Sequence, residues 1–433
     1  MKWEDRLDFA GLTDVGMRRS NNQDAFRILT ANQVDQWRSR GHLFVVADGM
    51  GAHAVGELAS KMAVDSIAHT YHKLVHLPCS QAIVKAVQDA NTLIHNRGTA
   101  NREFQGMGTT STSLVLLPEG AMIAHIGDSR AYRVRNGHIE QLSFDHSLMW
   151  ELVRRKQLTY EQARVMVPGN VITRSLGPEP EVDVDIDGPQ PVQPGDVFVL
   201  CSDGLSGQVN DADIGLLARH LSAQEACQYL IDMANLRGGP DNITLIIVRV
   251  EDPAGDSSKE KSSQIGPKRP LRNFSTLFLI LGIVNLVGCA VLAITDKLMF
   301  GTFGAVGLGF LAGAGFNGIA VLFVGLLWRF LTRPRAEPEP QPAATPFRPP
   351  TRCTLDKKVI DQLNARLHQL RAIAVEQAWN IDWTEFFAHR NAVDKHSQAG
   401  DFTSALRELC LAQHLLSVGQ RRFLEHTQAL LGG

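Results

Sequence analysis

Short apolar runs separated by tight turns dominate roughly the first 250 residues. Runs such as TSLVLL, AMIAHIG and NITLIIVRV are typical of buried strands. Pro118–Gly120 and Asn136–Gly137 have the composition of hairpin turns. Helical periodicity over about 55–75 and 80–97 follows the run Leu43–Val46. Neighbouring antiparallel strands with grouped helices predict an α+β domain over residues 1–252 rather than a doubly wound sheet.

The composition changes sharply after this domain. Residues 253–273 form a polar linker, and two charge-free runs follow at Phe274–Ile294 and Leu298–Trp328. Each run is long enough to cross a bilayer as a helix, which predicts a two-helix transmembrane hairpin over 274–330. Buried core helices are the alternative, but core helices of soluble proteins are rarely apolar on every face over such a length.

Basic residues flank the outer ends of this predicted hairpin. They are Lys268, Arg269 and Arg272 before it and Arg329, Arg333 and Arg335 after it. The positive-inside rule then predicts a multi-pass protein of the inner (cytoplasmic) membrane, with the N-terminal domain and the C-terminus both in the cytoplasm. The six cysteines follow no disulfide or metal-binding spacing, which agrees with a reducing compartment.

The last part of the chain is predicted to be helical. Residues 331–353 are a proline-rich spacer, and residues 354–433 have apolar positions at three- and four-residue steps. These positions begin with Leu355, Val359, Leu363, Leu367, Leu370 and Ala374. Thr384 and Asp401 are predicted N-caps of two further helices. We expect a small all-α C-terminal domain that binds protein partners.

Candidate chemistry lies in aspartates at strand ends. Asp48, Asp128 and Asp203 follow apolar runs, Asp48 and Asp203 on apparent glycine turns, whereas Asp24 and Asp241 precede runs. Each alone has an ordinary interpretation as a turn or cap residue. Clustered at one end of a sheet, they would repel one another unless a cation compensated, and oxygen-only ligands favour Mg²⁺ or Mn²⁺ over Zn²⁺. The balance of 43 basic against 45 acidic residues gives no reason to expect nucleic-acid binding.

Seven stretches, in order, resemble the metal-dependent protein phosphatase family (type 2C) in its bacterial branch. They are TDVGMRRSNNQDAF, VVADGMGAHAVGELAS, GMGTTSTSLVL, AHIGDSRAYRVRNGHIEQLSFDHS, NVITRSLG, GDVFVLCSDGLSG and GGPDNITLIIV. They cover residues 7–250 and leave the predicted membrane and C-terminal parts outside. The resemblance implies a two-sheet antiparallel β-sandwich flanked by helices, with a binuclear metal centre at one end.

By matching position, the resemblance implies a set of metal ligands. The set is Asp24, Asp48, Gly49, Asp128, Asp203 and Asp241. Asp48 would bridge two Mn²⁺ or Mg²⁺ ions, with the carbonyl of Gly49 as a further ligand. Asp24 would act at the second ion, partly through water. Asp128 would help Asp203 to hold a third, weaker ion.

The implied reaction is hydrolysis of phosphoserine and phosphothreonine by water activated between the two ions. Arg19 would bind the phosphate through its planar guanidinium and, with Asp48 and Asp203, would complete the catalytic set. Arg18 is the competing candidate, but it stands where the family usually has an aliphatic residue. Asp145-His146 precede a helical stretch, about Leu148 to Val167, that we expect to influence substrate choice rather than chemistry.

The leading hypothesis is a membrane-anchored phosphatase that acts on phosphorylated proteins and opposes a bacterial Ser/Thr kinase, acting on that kinase or its substrates. A catalytically silent, phosphatase-like sensing or binding module is the alternative. Loss of a ligand aspartate would favour that alternative, and none is missing. A channel subunit built on the hairpin is disfavoured, because the two apolar runs contain no ionisable residue.

Overall fold

The computed structural model describes residues 7–51, 55–169, 171–251 and 349–431. The predicted polar linker 253–273 and transmembrane hairpin 274–330 lie outside the described residues. In the part of the chain that is described, no helix combines the length and the apolar character needed to cross a membrane.

Two antiparallel sheets form the centre of the molecule. In chain order the strands are β1 Leu7–Asp14, β2 Asp24–Leu29, β3 His42–Met50, β4 Gly108–Thr109, β5 Ser111–Leu117, β6 Gly120–Ile126, β7 Arg130–Arg135, β8 His138–Gln141, β9 Asp185–Gln190, β10 Val197–Cys201, β11 Ile243–Val250 and β12 Thr351–Arg352. The first sheet has the order β1-β11-β10-β7-β8-β12, and the second has the order β2-β3-β5-β6-β9, with β4 paired to β3.

Helices flank the two sheets. They are α1 Val34–Arg40, α2 Val55–Lys73, α3 Cys79–Ala100, α4 Leu148–Arg154, α5 Tyr160–Met166, α6 Asp203–Ser206, α7 Asp211–His220, α8 Ala223–Leu236, α9 Lys357–Glu376, α10 Trp383–Gln398 and α11 Phe402–Leu431. The predicted helices at 55–75 and 80–97 correspond to α2 and α3. The predicted α+β sandwich flanked by helices is confirmed.

The central strands, such as β3, β5 and β6, are apolar on both faces because both faces are buried. In β3, Phe44 and Val46 point between the sheets toward residues such as Phe198 of β10. Their neighbours Leu43 and Val45 point the other way, into a core shared with α2 and α3. Since side chains alternate along a strand, a continuous apolar run is what a doubly covered strand requires.

Both predicted hairpin turns are present. Leu117 pairs with Gly120 at the end of the β5–β6 hairpin. The β7–β8 turn has positive φ at Asn136 (51°) and Gly137 (76°), as a primed two-residue turn demands.

The C-terminal segment is helical from α9 onward, as its periodicity predicts. Asp401 accepts a hydrogen bond from the amide of Ser404 at 3.1 Å and caps α11 as expected. The prediction of Thr384 as a cap is wrong. Asp382, two residues earlier, accepts from the amides of Thr384 and Glu385 at 2.9 and 3.1 Å, because its carboxylate reaches both free amides of the first turn.

This segment packs directly on the N-terminal half of the chain, residues 7–251. Strand β12 extends the first sheet by pairing Thr351 with Ile139 of β8. Leu406 and Leu409 of α11 share one buried core with Leu230 of α8. Residues 7–251 and 349–431 therefore belong to one compact unit rather than to two independent ones.

Two polar pairs border this shared core. Arg407 of α11 lies 2.8 Å from Glu225, and His414 lies 2.7 Å from Asp232 on α8. Both pairs join α11 to α8. The position of α11 along α8 is therefore fixed by these two pairs as well as by apolar burial.

We expect Leu406→Ala to lower the free energy of unfolding by about 2–5 kcal/mol, since the side chain is fully buried in the shared core. Val375→Ala on α9, where the side chain is 56% exposed, is the control and should change stability by less than about 0.5 kcal/mol. Calorimetry of the full chain should show both halves unfolding in one transition that Leu406→Ala shifts. Two transitions, with only one shifted, would contradict a shared core.

Candidate metal and phosphate site

Two of the predicted ligands face each other across neighbouring strands. Asp24 opens β2 and lies directly opposite Asp48 of β3 in the antiparallel register. The prediction that Asp48 lies on a glycine turn after the run Leu43–Val46 is wrong, because β3 continues to Met50, where it pairs with β4. The turn begins only at Gly51, which has φ +143°. Asp48 is therefore held inside a strand, with less freedom than a turn residue.

Gly49 is required by the close approach of three backbones. A Cβ at Gly49 would lie 2.1 Å from the carbonyl oxygen of Gly56 and 2.4 Å from that of Gln23. The Gln23 carbonyl accepts from the amide of Gly49 at 3.0 Å and from the hydroxyl of Ser60 at 2.6 Å. The start of α2 is thereby packed against the strand that carries Asp48.

A buried hydroxyl joins the two sheets beside the aspartates. Ser202 ends the loop before Asp203, the first residue of α6. Its hydroxyl donates to Asp24 Oδ2 at 2.7 Å and accepts from the amide of Thr244 at 3.0 Å. The carboxylate of one sheet is thus held by a residue of the other.

Burial raises the pKa of the clustered carboxyl groups, and their mutual repulsion adds to the effect. The pKa is raised to about 7 for Asp24 and Asp128 and is also raised for Asp48 and Asp203. Asp48 is the informative member, because all four other predicted carboxylates, including Asp241, raise its pKa. Charge repulsion of this kind acts between neighbouring groups. Together with the register that sets Asp24 opposite Asp48, and with the Ser202 bond to Asp24 beside Asp203, this puts the five aspartates at one end of the sandwich.

The donor set fits a hard divalent cation. Asp24 Oδ1 and Asp128 Oδ1 are buried and make no hydrogen bond to any described residue. Buried polar atoms are normally partnered, so these oxygens point to an additional ligand. Within the described ranges, no three acidic, histidine or cysteine side chains are arranged closely enough around one point to hold an ion. The fit to a hard cation is therefore one of donor chemistry, five carboxylates and a backbone carbonyl, and not of a preformed ligand geometry.

Arg19 lies at the edge of this cluster. Its Nη2 is 2.8 Å from Asp241 Oδ2, and the two side chains are 49% and 37% exposed. An ion pair this exposed contributes roughly 0–1 kcal/mol to stability. The guanidinium can therefore exchange the carboxylate for a phosphate at little cost in free energy. This geometry favours Arg19 over Arg18, which lies exposed on the same loop.

The sequence analysis did not predict a role for Asn242. This residue holds the loop between β1 and β2, residues 15–23, which carries Arg19. Its Nδ2 donates to the carbonyl oxygens of Val15 and Asn21, both at 2.9 Å, and its Oδ1 accepts from the amide of Gln23 at 2.8 Å. A Cβ at Gly204 would lie 1.9 Å from the Asn242 carbonyl oxygen, so α6 abuts the same point. An asparagine beside an aspartate carries no pattern that would distinguish it from a turn residue.

Asp145 and His146 have structural roles. Asp145 is buried against the guanidinium of Arg130, with Nη2 to Oδ2 at 2.7 Å. His146 accepts from the amide of Gly127 at 3.0 Å and lies 3.0 Å from Asp185. The predicted single helical stretch after them is two helices, α4 and α5. The influence of this region on substrate choice stays a prediction.

Comparison with known proteins identifies the class to which the chain belongs. The family described as protein phosphatase 2C matches residues 17–236. A 2C-type protein phosphatase of Streptococcus pyogenes is 40% identical over 243 residues, which is 55% of this chain and 96% of the relative. The serine/threonine phosphatase stp of Listeria innocua is 34% identical over 241 residues, 54% of this chain and 93% of the relative.

A solved structure gives the same result for the fold. The serine/threonine phosphatase of S. agalactiae superposes with a TM-score of 0.51 at 34% identity, covering 57% of this chain and all (100%) of that one. The chain belongs to the protein phosphatase 2C family. The resemblance drawn from the sequence is confirmed, and with it the enzyme class, a serine/threonine protein phosphatase.

We expect Asn242→Asp to lower the free energy of unfolding by about 1–3 kcal/mol, because a carboxylate would face two carbonyl oxygens that now accept hydrogen bonds. KM for a phosphopeptide should rise as the loop with Arg19 loosens. Urea unfolding and steady-state kinetics measure both effects. Asn96→Asp, on the exposed face of α3, is the isosteric control and should change neither. Equal effects of the two variants would contradict this role of Asn242.

Proposed function

We propose that this chain is a membrane-anchored serine/threonine protein phosphatase that hydrolyses phosphoserine and phosphothreonine at a binuclear Mn²⁺ or Mg²⁺ centre. Its substrates would be phosphorylated proteins in the cytoplasm, made by a bacterial Ser/Thr kinase or including that kinase. The observation that carries the proposal is the convergence of five aspartates on Asp48, at the end of the sandwich where Arg19 also lies.

The residues that would hold the cations are the ligands named above, with Asp48 central. When bound, such ions neutralise phosphoryl oxygens and lower the pKa of water toward neutrality. Arg19 would leave Asp241 and bind the phosphate through two parallel N–H···O bonds. Ser202 holds Asp24 in place by its 2.7 Å hydrogen bond, and the backbone packing at Gly49 keeps Asp48 from moving. No cysteine nucleophile is required, and Cys201 is fully buried in β10.

The packing of the C-terminal helices supports the proposed membrane topology. Residues 7–251 and 349–431 share one core, so the two flanks of the proposed hairpin must lie in the same compartment. An even number of crossings between them meets this requirement, and two charge-free runs are available in the sequence. Basic residues on both outer flanks favour the cytoplasmic side.

We expect Asp48→Asn and Asp241→Asn to lower metal-dependent hydrolysis of a phosphothreonine peptide by about a hundredfold or more, because each removes a proposed ligand charge. Chelator should abolish the activity of the unmodified chain. Calorimetric titration with Mn²⁺ should show weaker binding for both variants, which separates loss of metal from loss of chemistry.

Asp89→Asn is the matched control, since Asp89 pairs with Lys85 on the surface of α3. It should retain full activity and full Mn²⁺ affinity. Mn²⁺ binding by the unmodified chain without any hydrolysis would contradict the enzyme and favour a silent module. Unchanged turnover in Asp48→Asn would contradict the metal assignment.

The topology gives a separate prediction. A reporter enzyme fused after Gly433 should score cytoplasmic, and the full chain should sediment with membranes until detergent is added. Replacing 274–330 by a polar linker should release the chain to the soluble fraction. A reporter signal from the other side of the membrane would contradict the two-crossing topology.

A further inference from the structure

The C-terminal helix α11 reaches the loop that carries Arg19. Nη2 of Arg421 lies 2.9 Å from Oδ1 and 2.7 Å from Oδ2 of Asp14, the last residue of β1. The Asp14 side chain is 19% exposed and that of Arg421 is 37% exposed, so the pair is only partly open to solvent. The two residues are 407 positions apart in the chain. Nothing in the catalytic reaction described above uses this pair.

Asp14 is the anchor of the loop. Its Oδ1 accepts from the amide of Gly16 at 2.8 Å, which is the turn that aspartate commonly forms with its own backbone two residues later. The same oxygen accepts from Nδ2 of Asn235 on α8 at 3.2 Å. One carboxylate therefore joins the first turn of the loop, a helix of the catalytic half and, through Arg421, the C-terminal helix.

The loop packs closely against the turn that contains Asp241. Gly16 has φ +79°, and a Cβ there would lie 2.2 Å from the carbonyl oxygen of Asp241. The next amide, of Met17, donates to the Gly239 carbonyl at 2.8 Å. Arg19 follows two residues later and reaches Asp241 Oδ2 at 2.8 Å. A shift of Asp14 would therefore displace the backbone at Gly16 and Met17, and with it the guanidinium of Arg19.

We propose that Arg421 is a positioning residue for phosphate binding: by holding Asp14 it fixes the loop that carries Arg19, so the C-terminal helices set the affinity of the catalytic site. The inference rests on the proposed role of Arg19 as the phosphate ligand. It assigns to the C-terminal segment a function within its own chain, in addition to any protein partner.

The test compares KM, kcat and inhibition by inorganic phosphate in the full chain. Arg421→Ala should raise KM for a phosphothreonine peptide and the inhibition constant for phosphate together, by about three- to tenfold, with kcat nearly unchanged. Arg421→Lys keeps the charge at a similar reach and should recover part of the affinity. In an Arg19→Ala background, Arg421→Ala should have no further effect, because the guanidinium that it positions is gone.

Arg407→Ala is the matched control. It breaks an ion pair of the same helix with Glu225 at 2.8 Å, and its side chain is similarly exposed at 46%, but it does not contact the Arg19 loop. It should leave KM and phosphate inhibition unchanged even where it lowers Tm. Equal rises in KM for the two variants, or no rise for Arg421→Ala, would overturn the inference. Absence of metal-dependent hydrolysis in the unmodified chain would instead overturn the proposed function.

Discussion

Repulsion among five carboxylates gathered at one end of a buried sandwich is the constraint on which the rest of the site depends. Removing a charged carboxylate from water is expensive unless a hydrogen bond or an opposite charge compensates. The structure offsets part of this cost locally, since the hydroxyl of Ser202 donates to Asp24. The raised pKa values show that the compensation by protein groups is incomplete, which is the condition under which a cation binds well.

That constraint explains why the backbone around the site is so tightly specified. The aspartates must stay close although they repel, so Asp24 and Asp48 lie on strands, Asp203 lies on the first turn of α6, and Asp128 and Asp241 lie on short connections directly before β7 and β11. Close contacts at Gly49 and Gly204 leave no room for a side chain and lock the supporting elements together. Asn242 then holds the remaining loop by three hydrogen bonds. Rigid mounting of this kind is what a preorganised site requires.

Much of the fold and of the candidate site could be predicted from the sequence, because short stretches of residues encode these features. Apolar runs revealed the strands, Asn136-Gly137 revealed a hairpin, and the aspartates at strand ends revealed the cluster. What could not be predicted depends on contacts between distant segments. Nothing local indicates that β3 gains a partner in β4 and so extends past Asp48. The periodicity of α11 specifies an apolar face but not the helix that covers it. Thr384 and Asp382 are both good caps, and only the path of the chain decides between them.

The contact between Asp14 and Arg421 also has a consequence for the order of events during synthesis. A chain is synthesised from its N-terminus at about 5–20 residues per second, so the segment from 251 to 421 takes on the order of ten to thirty seconds to appear. Before these residues appear, the first sheet lacks β12 at its edge, α8 lacks its covering helix, and Asp14 lacks its ion pair with Arg421. A newly made N-terminal half therefore exposes the apolar face of α8 until the last helix arrives. Chains that are cut or terminated early remain in that state and are the ones that chaperones and proteases recognise.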